Sequence, residues 1–319
     1  MRRIGSGAAI TIGAAALAAV VGLSIVWGSS GWFGTETILW QLRFPRALLA
    51  AGVGAALATA GAVFQGLFRN PLADPFVVGV SGGAALGAVT AIVLGLSVSW
   101  LGMAPVAVCA FGGGLGAALL VYRLARVRGR VPIATLLLAG FAVGSLASAL
   151  LSILLMTHTR NFGDIMLWLM GSFAQTDSWA RLAVMLPAAG AALAMALAHA
   201  RDLNLFLLGE ESARHLGVEV ERAKGTLLAA GAVATAAAVA CAGIIGFVGL
   251  VVPNLARALV GPDHRRMLPV SAVLGAVLVA AADFAARSLL RGAELPVGAI
   301  TAVAGAPFFL IVLRRKARG

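Results

Sequence analysis

The sequence predicts an all-α integral membrane protein of about ten transmembrane helices, and three observations predict it. Hydrophobic residues are 61% of the 319 and charged residues 11%, with a mean hydropathy of +1.00. That composition belongs in lipid rather than in a soluble globule. Apolar runs recur from end to end at roughly the 20-residue length that crosses hydrocarbon as a helix. The polar punctuation between them is short, so residues 1–319 read as one transmembrane domain with no room for a soluble second one.

The spans follow in order. The first, about 7–27, stands behind Arg2 and Arg3 and is too long for the apolar region of a cleaved signal peptide, so it reads as an uncleaved helix with a cytoplasmic N-terminus. An outer segment with Trp27, Trp32 and Trp40 suits the interfacial belt. Span 2 (about 45–67) returns inward, span 3 (76–96) goes out, and span 4 (101–122) comes in to Arg123, Arg126, Arg128 and Arg130. Span 5 (132–156) is followed by 164–173, too short to cross and expected as an outer, half-inserted helix. Span 6 (179–199) leads into the longest polar insertion, 201–222, which this map makes cytoplasmic. Spans 7 to 10 cover about 223–243, 245–260, 268–290 and 296–313, which leaves the C-terminus cytoplasmic too.

Charge tests the map. It places 18 of the 24 Lys and Arg residues inside and leaves Arg43, Arg46, Arg160, Arg181, Arg287 and Arg291 outside, the asymmetry expected of a multi-pass protein. The same bias explains the net charge of +12, so no nucleic-acid partner is needed to account for it. Cys109 and Cys241 lie far apart inside apolar spans and read as small apolar fillers rather than as a disulfide or metal pair. The many Gly and Ala residues, such as Gly82-Gly83 and Gly112 with Gly116, read as contacts for close helix packing.

The stretch 43–86 organises the rest. It runs from two arginines through span 2 to Arg69-Asn70-Pro71-Leu72-Ala73-Asp74-Pro75. Two prolines cannot continue a helix, because proline lacks an amide donor and restricts the residue before it. At membrane depth the freed backbone groups survive only if protein buries them or they line a wet cavity. Asn70–Pro75 is therefore expected to be a broken point beside a pathway. ATAGAVFQGL before it is echoed by ACAGIIGFVGL before Pro253-Asn254, offset by one residue, in the manner of transporters built from inverted halves.

Chemistry is sparse. Gly79-Val80-Ser81-Gly82-Gly83 matches a nucleophile elbow but opens a membrane helix without the strand or the His and acid partners that elbow needs. GGGLGA at 112–117 lacks the strand and later acid of a dinucleotide site. His158, His199, His215 and His264 fall at helix ends or in loops, where solvated imidazoles are expected. No catalytic or metal-binding residue is predicted.

Two features remain. Arg43, Arg46 and Arg287 are positive charges on the outer side, and Asp283 stands four residues before Arg287, in reach to aim it. They read either as snorkelling to lipid phosphate or as a landing site for acidic side chains of an external partner. In the insertion, 210–216 is expected as a short helix with Glu210–Arg214 and Glu211–His215 pairs, capped by Gly217 and seated on the apolar Leu203–Leu208 run. It reads either as a solvated connector or as a docking knob for a cytoplasmic, energy-supplying protein, since the chain has no nucleotide motif of its own.

The motifs RFPR, AGAVFQGLFRNPLADPFVVGVSGGAALGA, LGEESARHLGV, GFVGLVVPNLAR and AELPVGAITAVAGAPFF, in that order and over nearly the whole length, resemble the permease subunit of type II ABC importers. This is the FecCD-type family that imports iron–siderophore complexes, haem and vitamin B12. The resemblance implies the inverted-repeat fold of those permeases and a homodimer of ten-helix subunits in a bacterial inner membrane. It implies two cytoplasmic ATP-binding subunits, which hold the ATP and Mg, and a periplasmic or lipid-anchored substrate-binding protein; this chain itself would bind no cofactor and would not be an enzyme. Carried over residue by residue, Arg43, Arg46 and Arg287 match arginines that receive glutamates of the binding protein. Glu210, Glu211, Ser212, Ala213, Arg214, Leu216 and Gly217 match the coupling helix that sits in the ATPase cleft. Asn70 and Leu72 match an inner gate, and Ile133 and Ala134 a second constriction, where Ile133 departs from the small polar residue the family often carries. Asn254 stands where relatives commonly have His. The expected activity is alternating-access import of an intact metal chelate, a ferric siderophore or haem, with cobalamin the alternative. A secondary transporter without an ATPase is the reading of a different class; it wants ionisable residues mid-helix, and only Asp283 comes close.

Overall fold

The computed structural model describes residues 5–28, 31–32, 35–97, 102–157, 162–174, 177–290 and 294–316. Arg2, Arg3, His158, Arg160, Arg291 and Arg318, on which parts of the topology rested, lie outside the described residues. Among the described residues the regular structure is helical, apart from a two-residue antiparallel pairing of Trp27–Gly28 with Gly31–Trp32 and an isolated bridge between Val127 and Arg130. The helices are α1 (Ser6–Val26), α2 (Phe44–Leu67), α3 (Val80–Val93), α4 (Pro105–Ala125), α5 (Ile133–Thr157), α6 (Phe162–Leu169) and α7 (Ser178–Ala198). After them come α8 (Ala200–Phe206), α9 (Glu210–His215), α10 (Val220–Ala242), α11 (Val248–Val260), α12 (His264–Ser288) and α13 (Val297–Lys316).

The ten expected spans correspond in order to α1 to α5, α7 and α10 to α13, while α6 is the short outer helix and α8 and α9 fill the polar insertion. Among the described residues, seven helices are long and apolar enough to cross a membrane, and three apolar ones are shorter: α3, α11 and α13. The shortening of α3 and α11 follows from their entries. Asp74 accepts the amide of Phe76 at 2.9 Å and starts a 3-10 turn over Pro75–Val78, and Gly79 at φ +80° then turns the chain into α3. On the other side, Gly243 (φ +71°) and the non-glycine Phe247 (φ +68°) hold the chain out of helix until Val248. The two echoed motifs thus lead into two truncated helices.

The second span begins earlier than the sequence suggested. A π-helical turn, Ile38–Arg43, runs straight into α2, with the Phe44 amide bonded to the Leu39 carbonyl. Pro45 supplies the reason: its ring crowds the carbonyl four residues back and it donates nothing, so the turn before it is wound wider.

α2 is buried nearly all round and forms the axis of the bundle, packed by α7, α10, α11 and α12. Backbones touch there. A Cβ at Gly54 would strike the Gly275 carbonyl of α12, and one at Gly61 the Gly249 carbonyl of α11. These glycines are what small residues at membrane helix contacts are for: they admit the close van der Waals packing that replaces hydrophobic driving force in lipid.

The bundle has two chemically distinct ends. One holds Arg43, whose guanidinium donates to Ile25 O at 2.9 Å, and Trp179, whose indole donates to Trp40 O at 3.2 Å. Arg181 also lies there, bonded to Cys241 O at 2.7 Å and to Asp177 at 2.7 Å. The other end holds the close of α2, where Gly66 meets His264 and Leu203, together with α8, α9 and the starts of α5, α10 and α12. The ends of consecutive spans alternate between these faces as the sequence map requires.

Candidate functional site

The predicted residues fall into three groups, which the fold keeps apart. At the arginine end, two of the three expected landing residues, Arg46 and Arg287, gather around one acid. Arg46 donates through Nε and Nη2 to Asp283 Oδ1 at 3.0 and 2.8 Å, and through Nη1 and Nη2 to Glu294 at 3.1 and 2.9 Å. The other Asp283 oxygen lies 3.3 Å from Arg287 Nε. Asp283 is fully buried, and Arg43 and Arg287 are only 6% and 4% exposed. The Asp283–Arg287 pairing expected from the sequence is present, and the same acid also holds Arg46. In this chain Arg43 closes the end of α1 and Arg287 pairs inward with Asp283, because α1, α2 and α12 converge on that corner. Arg46 alone, with a side chain 12% exposed and a rim partner in Glu294, reaches the surface.

At the opposite end lies the break. The Asn70 side chain accepts the Leu72 amide at 3.0 Å, a local turn that replaces the lost helix bonds. Asn254 of α11 donates to the Pro71 carbonyl at 2.8 Å, and Arg257 donates to Asn254 at 2.9 Å and to Gln65 at 3.2 Å. Gln65 itself donates to the carbonyls of Gly249 and Leu250 at 3.2 and 3.1 Å. The backbone freed by the two breaks is thus satisfied by one side-chain network joining α2, the 70–75 loop and α11, as burial at membrane depth demands. Asn70 and Leu72 project from this anchored loop and are exposed. Burial holds the Asp74 carboxyl above its usual range, while its bond from the Phe76 amide pulls the other way. Ile133 and Ala134, half-buried and exposed, open α5. Between α3 and α5 runs a groove of about 520 Å³ lined by Ser81, Gly82, Gly140, Phe141, Ser145 and Ser148, among others. Ser81 of the elbow-like motif therefore sits on a helical groove wall rather than on a strand-to-helix turn.

The third group is the insertion. α8 buries Leu203 and Phe206, the apolar base expected from the sequence. Gly209 (φ +111°) turns the chain into α9, and Gly217 (φ +89°) closes it, with Gly217 N bonded to Arg214 O and Val218 N to Ala213 O at 3.0 Å each. Within α9 only Ala213 is buried; Glu211, Ser212, Arg214 and His215 are exposed, as are Leu216 and Gly217 just beyond. The expected Glu210–Arg214 pair is replaced. Glu210 turns back to Lys224 of α10 at 2.6 Å, because packing brings that ammonium closer than the next helical turn. His264 also departs from its expected solvated state: it is 1% exposed, and its Nδ1 lies 2.7 Å from Asn204 Oδ1 because the first turn of α12 packs on Gly66 and α8. Beside it, the Asn204 amide donates to Asp263 at 2.7 Å and holds that carboxyl below its usual range.

Sequence reading missed Glu294, the Asn254–Pro71 clip and Lys224. For the last a signal existed: it is one of only two lysines in the chain, and it opens an otherwise Ala- and Leu-rich span.

A buried central helix flanked by two truncated ones, an anchored break and a displayed helical knob define a multi-pass membrane permease. The chain belongs to the FecCD transport family, which matches residues 6–315. It is 48% identical to the cobalamin import system permease protein BtuC of Halobacterium salinarum, over 97% of this chain and 85% of that one. It is 41% identical to the hemin transport system permease protein HmuU of Yersinia pestis, over 91% and 87%. A solved metal-chelate type ABC transporter in an inward-facing conformation superposes with a TM-score of 0.86 at 32% identity, covering 97% of this chain and 99% of its own. The fold is that of type II ABC importer permeases, and the chain is a permease of that class for metal chelates.

Proposed function

We propose that this chain forms, as a homodimer, the pathway of an ATP-driven importer that takes an intact metal chelate from an external binding protein and releases it into the cytoplasm. The observation that carries the reading is α9: a capped helix, buried only at Ala213, half-buried at Glu210 and exposed at its other residues, held out on an apolar base in a chain with no nucleotide motif. Two separate ATPase subunits dock there and hold the ATP and Mg. The end bearing α9 and both termini face the cytoplasm, as the charge bias requires. The arginine end faces outward, and Arg46 with the surface around it receives the binding protein. The exposed apolar face of α5, including Leu138, Phe141 and Met156, is supplied to the second subunit and the pathway between the two. Closure of the ATPases displaces α9, rocks the subunits and opens the pathway to one side at a time.

Among chelates, a corrinoid is favoured over haem or a ferric siderophore. The named relative with 48% identity imports cobalamin and the one with 41% imports hemin. Binding-protein–dependent uptake of labelled cobalamin, haem and a ferric siderophore in proteoliposomes discriminates the three. Purification in detergent tests the whole scheme: the chain retains an ATP-hydrolysing subunit, and Glu211→Lys with Arg214→Glu releases it. Accumulation of chelate by vesicles that contain this chain alone, without ATP, would establish the secondary-transporter reading instead.

A further inference from the structure

Resting on that reading, we propose that Lys224 is the joint through which α9 moves the start of α5, a positioning residue that couples docking to the gate. The residue is 3% exposed, and its ammonium has three anchors on three segments. Glu210 Oε2, on the first residue of α9, lies at 2.6 Å; the Val131 carbonyl, two residues before α5, at 3.1 Å; and Glu221 Oε1, on its own helix, at 3.5 Å. The second Glu221 oxygen accepts the Val131 amide at 2.9 Å, so both backbone groups of Val131 are held by the same cluster. Ile133 and Ala134 follow directly.

The placement is costly unless every donor is used. A lysine loses its hydration when buried, and only close partners offset that loss. Here the ammonium makes two hydrogen bonds, one to the displayed helix and one to the lead to α5, and a longer ion pair at 3.5 Å to Glu221. The distances leave no slack: a displacement of α9 either carries Val131 along or breaks the 2.6 Å bond to Glu210. A lysine that only stapled α10 would need Glu221 alone. The bond that crosses to α9 and the bond that crosses to α5 converge on one atom, and that convergence makes it a joint.

The test uses the complete assembly, permease with its ATPase and binding protein, in proteoliposomes, and reads chelate imported per ATP hydrolysed. Lys224→Met is expected to keep the ATPase bound and hydrolysing while import per ATP falls at least ten-fold, and Lys224→Arg to stay within three-fold of the parent. If Lys224→Met does not fold, the shorter, neutral Lys224→Gln decides. Import per ATP within two-fold of the parent in a folded variant, with the ATPase still bound, overturns the joint and leaves the coupling reading standing. A parent chain that captures no ATPase overturns both. Hydrogen exchange gives an independent arm: the Val131 amide, held by Glu221 at 2.9 Å, should exchange at least ten-fold faster in either variant while α1 is unchanged, and unchanged exchange there also overturns the joint.

Discussion

Replacing Asp283 by Ala tests the corner where the arginines meet. The acid is fully buried, takes two hydrogen bonds from Arg46 at 3.0 and 2.8 Å, and faces Arg287 at 3.3 Å. Hydrogen bonds to charged groups contribute about 1.5–3 kcal/mol each, and removing one partner of a buried ion pair costs about 3–5 kcal/mol because the other charge is stranded. Arg46 keeps Glu294, which also attracts Arg287, so the lower part of that range applies: about 3 kcal/mol. Substituting both members of the inner pair, Asp283→Leu with Arg287→Met, removes the stranded charge and is expected to recover most of the loss, since an apolar pair of similar volume often replaces a buried ion pair without penalty. The measurement is equilibrium unfolding in detergent micelles for the parent, each single variant and the double variant. A cost below about 0.5 kcal/mol for Asp283→Ala, in the range of exposed pairs, would refute the argument, because it would mean that water reaches this corner.

Two further outcomes follow from the break. Asn254→Ala strips the Pro71 carbonyl of its side-chain donor, at a cost of about 1–3 kcal/mol, and should speed thiol labelling of a cysteine placed at Leu72; an unchanged labelling rate would show that the clip does not hold the loop. Asp74 has the opposite sign from a salt-bridged acid. Burial holds its folded pKa above the unfolded value, so its contribution to stability is complete below about pH 3.9, declines as pH rises through the folded value, and is level beyond it. Asp74→Asn keeps an oxygen for the Phe76 amide, and its unfolding midpoint should lack the decline that sets in above about pH 3.9; parallel curves for the two proteins would contradict the assignment.

Legibility varied with the range of the forces involved. The order of the apolar helices was visible because lipid imposes length and polarity on each segment separately. The break at 70–75 and the Gly217 cap were visible for the same local reason, since they act on neighbours a few residues away. The early start of α2 was missed although Pro45 announced a disturbance, because a wider turn and a helix stop have the same sequence signature. The arginines show the limit best. Their clustering was readable from Arg43, Arg46 and the Asp283–Arg287 spacing, but their burial was not, since it depends on α1, α2 and α12 meeting at one corner.

By itself the amino-acid sequence determined that this chain lives in lipid, the order of its apolar helices, where they break and to which family it belongs. Each of those depends on residues near one another along the chain. Only the tertiary structure decided which charges are partners. Glu210 bonds Lys224 and not Arg214, Arg46 holds Asp283 and Glu294, and Asn254 clips Pro71 across 183 residues. In a low-dielectric interior a polar group must find whatever partner packing brings within 3 Å, and packing among ten spans is not written in any one of them.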